Sequence, residues 1–268
     1  MQNVKHKAFV STVQKYYKEH GRHALPWRQT RDPYKILVSE VMLQQTQVDR
    51  VVPKYKAFLK RFPSVETLAQ APLSEVLSLW SGLGYNRRAK HLHMAAQRIR
   101  EAFGGVFPSA VATLESLPGV GPYTARAVAT FAFNIEEYFV ETNIRTVFIY
   151  HFFKNAQKVP DKAILECVKA TFPKGVAPRL WYAALMDYGT HLKQQGIKTH
   201  RVSSTYKKQS PFKGSKRALR GAVIKTLVKS SCTRGELEKQ YSVAVHQIID
   251  TLIQEGFIME KRGRLALR

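Results

Sequence analysis

LPGVGPYTARAVATF, residues 117–131, places Gly119 and Gly121 in a tight turn directly ahead of a small-sided run rich in Ala and Val. Glycine supplies the backbone freedom such a turn needs, and residues 124–133 read as a buried helix. Backbone N–H groups and the positive helix end then converge beside Gly119, Val120 and Gly121, a geometry that holds a phosphate. No Lys and Ser follow at P-loop spacing, so triphosphate hydrolysis is disfavoured and one phosphate of a DNA strand fits better. The alternative is an ordinary joint between two helices whose glycines only turn the chain.

The sequence around this hairpin is also helical. Phe9, Val13, Tyr16 and Tyr17 recur at helical spacing before Gly21. Residues 24–35, ALPWRQTRDPYK, hold two prolines among polar residues and read as a loop, and the apolar run from Ile36 to Val48 predicts the next helix. Further helices are expected over 64–71, 73–81 and 87–103, so the chain is mainly α.

The chain has 268 residues, 44% apolar and 23% charged, enough for a packed core under a solvated surface. Lys and Arg number 43 against 19 Asp and Glu, a formal charge of +24. Such an excess points to a polyanionic partner, the alternative being a generically basic surface. MQNVKHKAF at the start lacks a signal-peptide apolar stretch and no run approaches a membrane span, so nucleic acid is favoured over a membrane. Cys167 and Cys232 are the only cysteines. They can build neither a disulfide framework nor an all-cysteine metal or iron–sulfur site, and they imply a reducing, cytoplasmic setting.

Composition shifts after Asp187: residues 188–235 carry twelve Lys or Arg and no Asp or Glu. This reads as a basic linker, residues 193–214, leading to a separate module over 215–268. Helices are predicted there over 217–230, 233–240 and 242–255, followed by strands around 257–260 and 264–267 that turn at Gly263. Three helices and a basic hairpin suggest a winged-helix-like domain. His246 and Gln247 of the third helix would then enter a major groove while Lys261, Arg262 and Arg264 touch phosphates. A helical dimerisation or docking module is the alternative.

Two carboxylates emerge from apolar surroundings. Glu40 in ILVSEVML, if partly desolvated, favours its neutral form and suits a general acid; otherwise it lies on the polar stripe of an amphipathic helix. Gln44, Gln45 and Thr46 follow, amides and a hydroxyl able to face a base edge or fill a gap in a stack. Glu141 in YFVETNIRTVF is the second carboxylate, or else a helix cap.

Taken in order, LPWRQTRDPYKILVSEVMLQQTQV, WSGLGYNRRAKHLH and LPGVGPYTARAVATFAF resemble the helix-hairpin-helix DNA glycosylase superfamily, and within it the adenine glycosylase (MutY) branch, over roughly residues 8–192. The resemblance implies two helical lobes with a cleft over residues 1–192. It implies that Glu40 protonates the purine and activates water, and that Gln45 and Tyr85 intrude into the base stack. Trp27, Arg28, Leu43, Val48 and Tyr123 would line the adenine pocket, with Asp187 in ALMDYG contacting the base. Gln44, Thr46, Arg87, Arg88, Lys207 and Lys208, with the hairpin, would hold DNA. Tyr123 stands where bifunctional relatives carry a Schiff-base lysine, which implies a monofunctional enzyme. A monomer acting on double-stranded DNA with a mismatched or damaged base is expected.

Three departures accompany the match. Glu141 replaces the catalytic aspartate of the family, one methylene longer. The four cysteine stations of the [4Fe–4S] cluster fall on Lys193, His200, Ser203 and Gln209, so no cofactor is expected. The residues after Gly214 are too few for the Nudix-like domain that inspects 8-oxoguanine. Uracil, thymine or hypoxanthine glycosylase activity, and a non-catalytic DNA-binding role, are the rival readings.

Overall fold

The computed structural model describes residues 2–199, 202–204, 211 and 214–268. Fourteen α-helices and one two-stranded antiparallel sheet are found among them, in two compact units that each draw on distant parts of the sequence.

The first unit comprises Met1–Leu37, Ser109–Glu115 and Val120–Lys208. It contains α1 (Gln2–His20), the start of α2 (Pro33–Leu43), α7 (Val111–Glu115), α8 (Pro122–Phe133), α9 (Thr142–Phe152), α10 (Asp161–Ala170) and α11 (Pro178–Gln194). Phe9 of α1 meets Phe148, Phe152 and Trp181 at ring-centroid distances of 5.2, 5.0 and 6.0 Å, tilted against the first and edge-on to the other two, as aromatic rings prefer in a core. Gly189 of α11 lies against the start of α9: a Cβ there would fall 2.4 Å from the Asn143 carbonyl oxygen, so only glycine permits this approach. Tyr182 of α11 stacks on Phe139 at 3.9 Å and donates to the Glu137 carbonyl, fixing the extended segment that leads into α9.

The second unit comprises Val38–Pro108, Ser116–Gly119 and Gln209–Arg268. It holds the rest of α2, then α3 (Val48–Arg61), α4 (Val65–Gln70), α5 (Leu73–Trp80) and α6 (Arg87–Phe103), together with α12 (Lys216–Lys229), α13 (Arg234–Tyr241), α14 (Val245–Gln254), β1 (Ile258–Lys261) and β2 (Arg264–Leu267). Local signals set the ends. Ser64 and Thr67 form a capping box at α4, Thr233 and Glu236 another at α13, and Gly104 closes α6 in the left-handed region. Three helices and a hairpin follow one another after residue 214 as the sequence predicts, and Cys232 adds an antiparallel bridge to Leu265 on the side away from Glu260.

Three expected boundaries move. The helix expected over 36–48 ends at Leu43, and residues 44–47 turn before α3, with Gln45 at φ +55°. The physical cause is tertiary: the Arg88 guanidinium draws the Val41, Met42 and Gln44 carbonyls to itself. The loop expected through Lys35 stops earlier. The Asp32 carboxylate accepts from the Tyr34 and Lys35 amides while Pro33 opens α2. The third tail helix likewise begins at Val245 rather than Ser242, which takes φ +75°.

Candidate active site

Glu40 belongs to the second unit. It is 8% exposed on a helix turn whose neighbours Val38, Val41 and Met42 are 0–4% exposed, so its carboxyl is desolvated as the apolar flanks suggest. One turn on, the chain leaves α2 and lifts Gln45, exposed and in the left-handed region. Tyr85, at φ +49°, is the second non-glycine residue of this unit's loops held there. Backbone strain of this kind persists only where surrounding structure fixes it, and here the fixing group is Arg88. Its guanidinium donates to Val41 O at 2.9 Å, Met42 O at 3.0 Å, Gly84 O at 3.1 Å and Leu83 O at 3.3 Å, to the Gln44 carbonyl, and to Thr46 Oγ1 at 3.2 Å. Arg88 is expected from the sequence to meet DNA, but these donors point inward: they bind the end of the Glu40 helix to the Gln45 and Tyr85 loops. Burial lowers its pKa to about 10, which leaves it charged at neutral pH.

Arg87 is turned to the C-terminal segment, 2.6 Å from Glu255. Gly119 takes φ +75°, and a Cβ there would lie 2.5 Å from the Cβ of His91, so the hairpin needs glycine for both its angle and its space. Leu43 and Val48 are half-buried at the two ends of the Gln45 turn. Lys261 and Arg262 stand exposed at the hairpin tip, whereas Arg264 donates to Ser231 and His246 pairs with Glu238 at 3.0 Å. Those last two side chains thus have partners within the module.

In the first unit, Asp187 is 2% exposed and accepts from the Arg22 amide and Nε at 2.8 Å each, and from Arg22 Nη2 at 2.6 Å. Arg28 Nη2 lies 3.3 Å from the same carboxylate, while Arg28 Nη1 is buried with no hydrogen-bond partner. Asp187 therefore orients Arg28. Trp27, 7% exposed, precedes it in a short 3-10 turn, and Arg179 Nη2 donates to Thr30 O at 2.9 Å to hold that turn's far side. Arg22 escapes a reading of the sequence because its partner is 165 residues away. The only available signal is indirect: a buried aspartate in an apolar helix needs a cation.

Val120 is buried beside the hairpin, and Gly121 caps α8 with no side chain, opening that helix end to solvent. Tyr123 meets Phe139 edge-on at 5.5 Å. Glu141 is the N-cap of α9: its Oε1 accepts from the Asn143 amide at 2.7 Å and the Ile144 amide at 2.9 Å. The structure shows the cap reading of Glu141, and a helix N-terminus is a favourable place for its negative charge.

Of the cluster stations, Lys193 donates to Asn143 Oδ1 at 2.7 Å and Ser203 pairs with Val159. His200 and Gln209, like Lys207 and Lys208, lie outside the described residues. Two thiols, Cys167 and Cys232, cannot supply four thiolates, so the residues present do not fit a [4Fe–4S] group. Among the described residues no group of three His, Cys, Asp or Glu could hold a metal ion, and no helix is long and apolar enough to cross a membrane.

Residues 38–171 match the family described as HhH-GPD superfamily base excision DNA repair protein. The chain belongs to that superfamily. It is 34% identical over 274 aligned positions to an adenine DNA glycosylase of Mycolicibacterium smegmatis, covering 93% of this chain and 92% of that one. It is 40% identical to the adenine DNA glycosylase of Buchnera aphidicola subsp. Baizongia pistaciae over 62% of this chain, which spans 47% of that protein. Among solved structures, a thermostable thymine-DNA glycosylase superposes with a TM-score of 0.63 at 29% identity, covering 76% of this chain and 98% of that one. An endonuclease III trapped on DNA shares the fold, with a TM-score of 0.59 at 17% identity over 81% of this chain and 92% of that one.

Proposed function

We propose that this chain is a monofunctional DNA glycosylase that hydrolyses the N-glycosidic bond of a flipped adenine opposite 8-oxoguanine or G, leaving an abasic site. It acts as a monomer on duplex DNA, without an iron–sulfur cluster. The observation that carries the reading is Arg28: with its side chain 11% exposed, oriented by Asp187 and its buried Nη1 without a hydrogen-bond partner, it is a fixed donor awaiting a base acceptor. The adenine DNA glycosylases among its relatives support the choice of purine.

A base inside a duplex is out of reach, so the nucleotide must rotate out at a cost of a few kcal/mol, least at a mismatch. Gln45 and Tyr85 fill the gap, and the helix end behind Gly121 and the basic surface hold the backbone. Glu40, protonated in its apolar setting, gives its proton to N7 of the departing purine. Glu141, held by two amides at the start of α9, stabilises the positive charge that develops on the sugar, as one carboxylate of a pair does in glycoside hydrolysis. Tyr123, lacking an amine, forms no Schiff base.

The test is single-turnover base release from duplexes carrying A opposite 8-oxoguanine, G or C, T opposite G, uracil and hypoxanthine, with Glu40→Gln as control. Adenine release lost in Glu40→Gln, with DNA binding kept, is the expected result. The similarity to a thymine-DNA glycosylase favours one second reading, in which T opposite G is the substrate and the acid assignment moves with it. Tight binding with no release from any duplex would refute both.

A further inference from the structure

Tyr85 is held from two directions. At its base, Arg88 fixes the loop carbonyls and sets its guanidinium 5.4 Å from the Tyr85 ring centroid. At its tip, Arg217 of α12 donates from Nη1 to the phenol oxygen at 2.9 Å, with its guanidinium also 5.4 Å from the ring centroid. Arg217 stands 132 residues further along the chain, in the C-terminal segment.

That segment is a firm support for it. Glu255, at the end of α14, pairs with Arg87 at 2.6 Å and with Arg220, and its carbonyl accepts from Lys90 Nζ. Lys90 and Arg220 also lie 5.3 and 4.8 Å from the Phe257 ring centroid, and the Ser74 amide donates to the Arg268 carbonyl at 2.8 Å. The contacts to Arg87 and Lys90 fall on the first turn of the helix that Tyr85 precedes. An aromatic ring in a strained backbone, gripped at both ends by cations, is ordered before any nucleic acid arrives, and its surroundings suit both base stacking and phosphate.

We propose that Arg217 is a positioning residue for Tyr85, through which the C-terminal module takes part in opening the duplex. The proposal rests on the reading of Tyr85 as the residue that enters the base stack. It gives the module a task that needs no groove recognition of its own.

The experiment uses the full chain and a mispaired duplex with 2-aminopurine beside the mispair, whose fluorescence rises on unstacking. Wild type, Arg217→Ala, Arg217→Lys, Tyr85→Ser and the Arg217→Ala/Tyr85→Ser double variant are compared, each checked by thermal melting. Should Arg217→Ala fail to fold, Arg217→Gln takes its place. Arg217→Ala is expected to lose the fluorescence rise and about tenfold in preference for mispaired over matched duplex, roughly the worth of one charge-assisted hydrogen bond. Lysine, lacking the planar fork, is expected not to restore either, and adding Arg217→Ala to Tyr85→Ser to cost nothing further.

Wild-type behaviour of Arg217→Ala, or full additivity in the double variant, would overturn the proposal. So would full rescue by lysine, with a salt dependence that falls by about one phosphate in Arg217→Ala, because that is the mark of a plain backbone contact. A larger fluorescence rise in Arg217→Ala would make the contact a restraint and overturn it equally. Unstacking by the wild type without base release sinks the glycosylase reading and leaves this proposal standing. Base release with no unstacking signal sinks this proposal alone.

Discussion

Replacing Arg88 by alanine should damage stability and chemistry together. α2 ends at Leu43, so the carbonyls of Val41 and Met42 have no partner within their helix, and Arg88 supplies it at 2.9 and 3.0 Å. Both residues are at most 4% exposed, which keeps water from replacing the lost donor, while Gly84 is exposed and its carbonyl can be rehydrated. Two stranded carbonyls at about 1–3 kcal/mol each, plus the lost ties to the Gln44 and Leu83 carbonyls, put the cost at about 3–5 kcal/mol. Because the same guanidinium joins the Glu40 helix to the Gln45 and Tyr85 loops, these groups drift together. Displacement by an ångström is enough to slow base release by up to about 10²-fold. Urea unfolding measures the first effect and single-turnover kinetics at saturating enzyme the second. Arg88→Lys should recover less than half of either, since one ammonium cannot span acceptors arranged around a planar fork. A loss under ~1 kcal/mol with an unchanged rate would refute the reasoning, because Arg88 would then be an ordinary surface cation.

Gly189→Ala should cost about 1–3 kcal/mol by pushing α11 from the start of α9, read as a lower melting temperature, and should slow base release by displacing Glu141. Glu141→Asp should keep the α9 cap and keep or raise the rate. Glu141→Ala should lose about 1 kcal/mol with the cap and nearly all base release, and an unchanged rate there would leave Glu141 a cap only. His151 bears on acid stability: burial, with Lys154 and Lys5 nearby, pushes its pKa down to about 4, so it folds neutral. The unfolded chain takes up the proton first, and stability should therefore fall by about 1–2 kcal/mol as pH drops from 6.5 to 4. His151→Phe should flatten that slope in a denaturation series.

What the sequence makes legible follows the range of the interactions involved. The hairpin at Gly119, the helix Arg87–Phe103 and the order of three helices and a hairpin at the C-terminus depend on local signals, and a reading of the residues reaches them. The early stop of α2 depends on Arg88, more than forty residues away, and the apolar run through Val48 gives no hint of it. Basic residues show the same limit. Arg87, Arg88, Arg217 and Arg220 all look available to DNA in a chain of net charge +24, yet each has a specific partner in the fold. Charge counts the cations but does not say which of them face outward.

The same distinction applies at the end of α11. Lys193 stands at the first cysteine station, and its ammonium reaches Asn143 Oδ1 at 2.7 Å, while Asn143 Nδ2 lies 3.4 Å from Glu141 Oε2. Burial holds the Lys193 pKa below its ordinary value, with the Glu141 charge opposing the shift and Arg145 adding to it. Beyond Lys193, Thr199 donates to Thr146 Oγ1 at 3.1 Å, the Val159 amide donates to the Val202 carbonyl at 2.8 Å, and the Ser204 amide donates to the Val159 carbonyl at 3.1 Å. Two of these bonds, from Lys193 and Thr199, end on the helix that Glu141 caps. Three residues thus meet at the start of α9: Gly189 sets the spacing, Lys193 bonds to Asn143 and Glu141 caps the helix.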